Sequence, residues 1–365
     1  MRRKDGQKKV QGIRSKAVFD CGFRELNPSF KNADRSNAHS VVSMFSGCGG
    51  LDLGLLGGFN YKGTYFDVNP FRIEAAYDNL NDAVQAYKLN IGDEILETDL
   101  STVDTKQLNP ASVLVGGFPC QDFSSSGPKS GLNGKRGQLY LAMRDYLLDH
   151  RPKVFLGENV PYLLKLDKGR HIKKIIGDFE QCGYKVKFWE LNCPDFGLSQ
   201  SRKRVIIIGV RNDIAGFPVR PRGDYEKNFL PIEYAIDDLI EVTDETVVNQ
   251  SQYFVATKAT SGGGQGDHSN VRGNLGYCIR ANSRGRIQFH YQLDRRLTVR
   301  ECARLQSFPD EFVFPFSTQR NLTLIGNAVP PIVGHAIAKS LARFLSGEQI
   351  DHDSVMPVIQ EVLEV

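Results

Sequence analysis

The chain contains no apolar run near the roughly 18 residues that a membrane-spanning helix needs, so no membrane partner is expected. It has no pair of cysteines at Cys-x-x-Cys spacing. Its 7 cysteines (Cys21, Cys48, Cys120, Cys182, Cys193, Cys278 and Cys302) are odd in number. That pattern argues against both a disulfide framework and a structural zinc site, and reduced thiols fit a cytoplasmic location. No apolar core follows the charges of the N-terminus, so a secretory signal is not expected. Charge of one sign is also scarce overall: 365 residues carry a formal net charge of +4. What charge there is lies in clusters. Arg2, Arg3, Lys4, Lys8, Lys9, Arg14 and Lys16 face only Asp5 among residues 1–16. Arg280, Arg284, Arg286, Arg295, Arg296, Arg300 and Arg304 face only Asp294 and Glu301 across residues 280–304. A solvated tail accounts for the first cluster. The second suggests a polyanion.

Hydrophobic content of 41% and charged content of 24% describe an ordinary globular protein. Residues 1–38 have little to bury and read as a basic arm. Apolar runs then recur at Val41–Phe45, Val113–Val115, Val154–Leu156 and Val205–Ile208, with helical patterns between them at Gly137–Leu148 and Ile172–Gln181. Continuous apolar strands alternating with helices predict an α/β fold: a mostly parallel sheet covered on both faces. Residues 39–211 form that unit. Residues 212–319 are rich in Gly, Pro, Asn and Arg and read as a smaller irregular domain, with short strand candidates at Ser251–Ala256 and Gly276–Arg280. Residues 320–346 contain a helix, Ile332–Leu345, that returns to the first unit. Residues 347–365 form a tail.

The first strand runs into Phe45-Ser46-Gly47-Cys48-Gly49-Gly50. Glycines after a strand let the backbone approach a ligand closely. Gly47 and Gly49 match the first two positions of a dinucleotide fingerprint, but Asp52 occupies the third. A second strand, Gly63–Phe66, ends at Asp67, and Asp99 lies before the strand leading to Cys120. Carboxylates at strand ends hold ribose hydroxyls. The set predicts a nucleoside-bearing ligand with no pyrophosphate. Cys120 follows an apolar strand and precedes a Gly- and Ser-rich stretch, as a nucleophile at a sheet edge does. Glu158 ends another apolar strand and is expected on the same edge. Arg202 and Arg204 alternate before the strongest apolar run.

Together these strings resemble the DNA cytosine-5 methyltransferases that use S-adenosylmethionine. The likeness runs in family order from about Val41 to Leu345. Phe45 to Gly50 is similar to the cofactor loop, Pro119-Cys120-Gln121 to the nucleophile motif and Glu158-Asn159-Val160 to the acid motif. Gln200-x-Arg202-x-Arg204 is similar to the arginine motif, Arg296 to Gln306 to the motif that orders the recognition domain, and Gly326 to Pro330 to the returning cofactor-side motif. The chain departs from the family with Asp67 where Glu is common, Val68 where a bulky side chain is common, and Ser199 in place of Pro.

The resemblance implies a Rossmann-like methyltransferase fold with a target-recognition domain. It also implies duplex DNA as substrate, a bacterial modification enzyme acting as a monomer on DNA in the cytoplasm, and a companion restriction endonuclease for the same site. Cys120, Glu158, Arg202 and Arg204 are then the catalytic group, with no metal. Phe45, Ser46, Gly47, Gly49, Gly50, Asp67, Val68, Asp99, Leu100, Pro119, Asn327 and Ala328 are the cofactor site. Ser126, Gln265 and Arg304 are the DNA contacts. Two other readings stay open: an RNA methyltransferase on the same scaffold, and a catalytically idle DNA-binding relative. The length of Arg211–His290 weighs against the first, and the intact catalytic group against the second.

Overall fold

A computed structural model of the chain describes residues 35–119, 139–242, 268–281 and 288–351. The chain enters through β1 (His39–Met44), turns into α1 (Gly50–Leu56), forms a hairpin of β2 (Phe59–Tyr61) and β3 (Thr64–Phe66), and returns in β4 (Phe71–Asp78). Next come α2 (Asn81–Asn90), β5 (Ile95–Glu97), β6 (Val113–Gly116), α3 (Tyr140–His150), β7 (Val154–Asn159), α4 (Tyr162–Lys165) and α5 (Arg170–Gln181). β8 (Tyr184–Asn192) and β9 (Lys203–Arg211) complete the main sheet. α6 (Ile232–Ile236), β10 (His268–Ser269), β11 (Gln288–Phe289), α7 (Val299–Leu305), α8 (Thr318–Asn327) and α9 (Pro331–Leu345) follow.

Seven strands lie in the order β5-β4-β1-β6-β7-β9-β8. All run parallel except β9, which is antiparallel to both its neighbours. Alternate residues of the central strands feed two separate cores. Val41, Val113, Val115, Leu156 and Ile206 join a cluster with α1, α2 and α9. Val42, Met44, Leu114, Phe155 and Ile207 join a second cluster with α3 and α5. A sheet buried on both faces has no polar side to show, which is why these strands read as unbroken apolar runs.

The Rossmann-like class stands, and two strand readings change. The expected second sheet strand at Gly63–Phe66 belongs to the β2–β3 hairpin. The strand beside β1 is β4, in which Arg72 and Glu74 interrupt Phe71, Ile73 and the two alanines, so it lacks the unbroken apolar run of β6, β7 and β9. Gly276–Arg280 forms no strand; its one sheet-like pairing is an isolated bridge, Gln200 with Gly276. Ser251–Ala256 lies outside the described residues. The described parts of 212–319 are not walled off: Ile232, Ala235, Ile236, Val299, Ala303 and Phe308 join the cluster that contains Val41. Arg35, expected in the arm, donates to the carbonyls of Phe71 and Leu56. Among the described residues no helix is long and apolar enough to cross a membrane.

Candidate functional site

The C-terminal ends of β1, β4, β6 and β7 form one edge, and the site is built there. β1 ends at Met44, directly beside Gly116 of β6. Phe45, Gly47 and Gly49 then take positive φ values of 55°, 58° and 88°. The left-handed backbone folds the turn back over the strand end. Ser46 anchors it, with its N–H on the Tyr77 carbonyl at 3.1 Å and its hydroxyl on the Ser43 carbonyl at 2.9 Å. Gly50 admits no side chain, because a Cβ there would lie 2.4 Å from the Val329 carbonyl oxygen and 3.1 Å from the Ala328 Cβ. The turn is therefore brought against Ala328, with Asn327 exposed beside it. Among the described residues, nothing lies within 4 Å of a Cβ position on Gly47.

Asp67 and Val68 are not part of this edge. They precede Phe71, which pairs with His39 at the start of β1. The turn lies past the other end of that strand, roughly 20 Å away. Asp67 is exposed; its carboxylate faces Lys339 at 3.6 Å, and its carbonyl meets His335 Nε2 at 2.9 Å. The carboxylate that does meet the turn is Asp78, the last residue of β4. It accepts the Gly47 N–H at 2.8 Å and the Leu80 N–H at 2.8 Å. Burial pushes its carboxyl above the usual range even though these N–H groups pull it down. Its sequence signal is an acid two residues before Leu80, which opens the helical pattern of α2. Asp99 reaches the same edge, because the Thr98 N–H bonds the Asp78 carbonyl at 2.8 Å. The exposed Asp99 carboxylate takes the N–H and hydroxyl of Ser101, which hold it below the ordinary range. Leu100 beside it is buried. An open turn with a strand-end carboxylate on its backbone fits a nucleoside-bearing cofactor.

One strand away, β6 delivers Gly117, Phe118 and Pro119. The Phe118 ring lies over Gly157, 3.3 Å from a Cβ position, and its carbonyl accepts from Asn159 Nδ2 at 3.1 Å. The half-buried Pro119 is the last described residue before Cys120. Cys120, Ser126 and Gln265 lie outside the described residues. Glu158 leans back over β6: its Oε2 is 3.3 Å from a Cβ position on Gly117. Its Oε1 is held by Arg204 Nε at 2.7 Å, with both side chains largely buried. The reversal of β9 makes this pair possible. An antiparallel strand begins where its neighbour ends, so Arg204 enters beside Asn159. A carboxylate clamped by a guanidinium in a sheltered cleft is a charge-assisted bond of the stronger kind.

The other two arginines have different work. Arg202 is 2% exposed. Its guanidinium donates to the carbonyls of Ile279, Gly326 and Ala328 at 3.0, 3.0 and 2.8 Å, and to Cys278 Sγ at 3.5 Å. It ties the β9 entrance to α8 and to the 276–279 segment, close enough to Glu158 and Arg204 for their charges to act on it, and so braces the catalytic edge as a strut. Arg304, expected as a DNA contact, is instead engaged within the protein. Its guanidinium grips Asp310 through two bonds of 2.8 and 2.7 Å and Asp238 through one of 2.6 Å, and the side chain is 9% exposed. Desolvation and two carboxylates leave it no face for phosphate. The buried thiols of Cys48 and Cys193 are pushed up to about 12 and about 11 by desolvation, and so suit packing rather than nucleophilic attack.

Residues 39–265 and 241–343 match the family model described as C-5 cytosine-specific DNA methylase. The chain is 33% identical over 368 residues to the Type II methyltransferase M.NgoFVII of Neisseria gonorrhoeae, covering 90% of this chain and 93% of that protein. It is 31% identical to the Type II methyltransferase M.BsuRI of Bacillus subtilis, covering 92% and 88%. A solved putative DNA modification methyltransferase encoded within an E. coli prophage superposes with a TM-score of 0.58 at 21% identity, covering 85% of this chain and all of that one. The S. pombe Dnmt2 methyltransferase gives 0.55 at 20% identity, covering 85% and 99%. At those identities the two structures speak to the fold alone.

Proposed function

Since the chain belongs to the C-5 cytosine-specific DNA methylases, and so is a DNA cytosine-5-methyltransferase that uses S-adenosylmethionine, we propose that it methylates a cytosine flipped out of duplex DNA, through a covalent bond to Cys120. The observation that supports this most is the Glu158–Arg204 pair poised over Gly117, at the root of the segment bearing Cys120.

Carbon 5 of cytosine is a weak nucleophile. Addition of the Cys120 thiolate to carbon 6 makes carbon 5 enamine-like. Negative charge develops toward ring nitrogen 3; Glu158, once its free oxygen has taken a proton from solvent, donates that proton or a hydrogen bond there, while Arg204 keeps its other oxygen in place. Arg204 orients Glu158 and faces the exocyclic oxygen. Once carbon 5 carries the methyl group, its proton leaves to a base and the thiolate is expelled, restoring the ring. When bound, S-adenosylmethionine supplies the methyl as an electrophile on a sulfonium. Phe45, Ser46, Gly47, Gly49 and Gly50 would hold it, with Asp78, Asp99, Leu100, Pro119, Asn327 and Ala328 around them. Carbon 6 is shielded within a stacked duplex, so the base leaves the stack at a cost of a few kcal/mol. Ser126 and Gln265 are proposed to enter the gap. The relatives named as Type II methyltransferases support a modification enzyme, proposed to act as a monomer alongside an endonuclease for the same site.

Duplex DNA carrying 5-fluorocytosine at the target has no carbon-5 proton to lose. The protein should be trapped on it, with the modified peptide mapping to Cys120. No adduct, or an adduct on another residue, would remove the covalent route. Glu158→Gln should slow single-turnover methylation by about 10²-fold or more while DNA affinity stays near wild type. An unchanged rate would remove the acid role. Methyl incorporation into transfer RNA in preference to duplex DNA would overturn the choice of substrate.

A further inference from the structure

Helix α1 carries a carboxyl that the reaction above does not use. Asp52 is in its first turn and is completely buried. Its Oδ1 accepts the Ser43 hydroxyl at 2.7 Å, and among the described residues its buried Oδ2 meets no donor in hydrogen-bond geometry. Tyr87 acts on the same carboxyl from α2, but its buried hydroxyl stays outside hydrogen-bond geometry. The Tyr87 ring is also the floor of the cofactor turn, 2.9 Å from a Cβ position on Gly49. Asp52 therefore sits beneath the turn, between β1 and α2.

No cation offsets it among the described residues. Ser43 and Tyr87 are the groups that hold its ionised form. The Cys48 thiol beside it is neutral, and Tyr87 is pushed well above its ordinary range. Asp78 from β4 and Glu94, which acts on Tyr87, add further negative charge. An amide of the same shape would keep the Ser43 bond without burying a charge, so an ionisable group here costs stability near neutral pH. Costs of that kind are retained at functional sites. The ligand held on this turn is a sulfonium cation, and a fixed negative charge acts strongly across a desolvated layer.

We propose that Asp52 is a positioning residue that keeps a negative charge under the cofactor turn and so favours S-adenosylmethionine over its demethylated product, S-adenosylhomocysteine. The two ligands differ by one methyl and one positive charge. Asp52 touches neither; it acts through the field beneath Gly49 and favours exchange of product for fresh cofactor. The inference rests on the cofactor assigned above.

Calorimetric titration of the full chain with each ligand at pH 7 tests it. Asp52→Asn should weaken S-adenosylmethionine by roughly three- to tenfold and S-adenosylhomocysteine by less than about twofold, while the melting temperature rises. Equal weakening of both ligands would mean that Asp52 only shapes the turn, and no weakening would remove its role; either result overturns the proposal. Wild-type protein alone gives a second reading, whether or not the variant folds. Burial holds the Asp52 carboxyl up at about 6, so the preference for the charged ligand should fade between pH 7 and pH 5. The fading should be absent in Asp52→Asn, which separates it from titration of Asp78. A flat wild-type preference overturns the proposal. Wild-type protein that binds neither ligand overturns the cofactor assignment itself, and this inference with it.

Discussion

Arg202, Arg204 and Arg304 are written alike in the sequence and differ in what their guanidinium groups meet. Arg204 meets Glu158 in a cleft, Arg202 meets backbone carbonyls, and Arg304 meets Asp238 and Asp310. Spacing in a chain reports which way a side chain starts, not what has folded around its end. The two acids at issue in the cofactor site make the same point. Asp67 follows an aromatic run and looks like a strand end; Asp78 follows a run containing Glu74 and two alanines and does not. Only Asp78 touches the glycine turn. Asp78→Asn should therefore weaken S-adenosylmethionine by about tenfold, as loss of a charged hydrogen-bond acceptor does, and Asp67→Asn should leave it within about twofold. Equilibrium binding of the two variants checks this, and the reverse order would return the ribose role to Asp67.

At the scale of elements, the site depends on one strand reversal and one close helix contact. Had β9 run parallel to β7, Arg204 would enter at the far end of Glu158's strand; because it runs antiparallel, the two meet. Helix α1, which carries the turn, lies so near α9 that a Cβ on Gly54 would stand 2.5 Å from the Pro331 carbonyl and 2.7 Å from the Gly334 Cα. Backbone cannot yield as a side-chain tip does. Gly54→Ala should push the helices apart and cost about 1–3 kcal/mol of stability, read as a lower denaturant midpoint at unchanged slope. An unchanged midpoint would mean that the contact relaxes freely. α9 itself was legible, as were β1, β6, β7 and β9, because burial on both sides leaves unbroken apolar runs. β8 was not: it is an edge strand in which Lys185, Lys187 and Glu190 break up the apolar residues.

Across the whole molecule, the core that includes β1 extends without a break into α6, α7 and α8. One buried histidine marks the seam. His290 Nδ1 accepts the N–H groups of Gln292 and Leu293 at 3.0 and 3.2 Å. A proton on that nitrogen would break both bonds, and burial lowers the ring's pKa although Glu301 lies close by. The folded protein thus binds fewer protons here than the unfolded chain. Its stability is full above the unfolded value near 6.5 and falls as the pH drops below it. Asp52, raised by burial, works in the opposite direction between about 4 and 6. His290→Asn keeps an acceptor for the two N–H groups and cannot titrate. Denaturant curves at pH 7 and pH 5.5 should show a smaller loss of stability than in wild type; an equal loss would place the acid sensitivity elsewhere.

The amino-acid sequence by itself determined the α/β class, the family, and the order in which the chemical groups occur. Unbroken apolar strands, glycine turns and short polar strings are local properties that survive in one dimension. Tertiary structure alone decided which carboxylate meets the glycine turn, which arginine holds Glu158, and which acid lies buried beneath that turn. Those outcomes depend on β4 lying beside β1, on the reversal of β9 and on α2 closing beneath Gly49, each a meeting of residues far apart in the chain. No local pattern encodes such a meeting, because its energy comes from surfaces that exist only once the sheet has assembled.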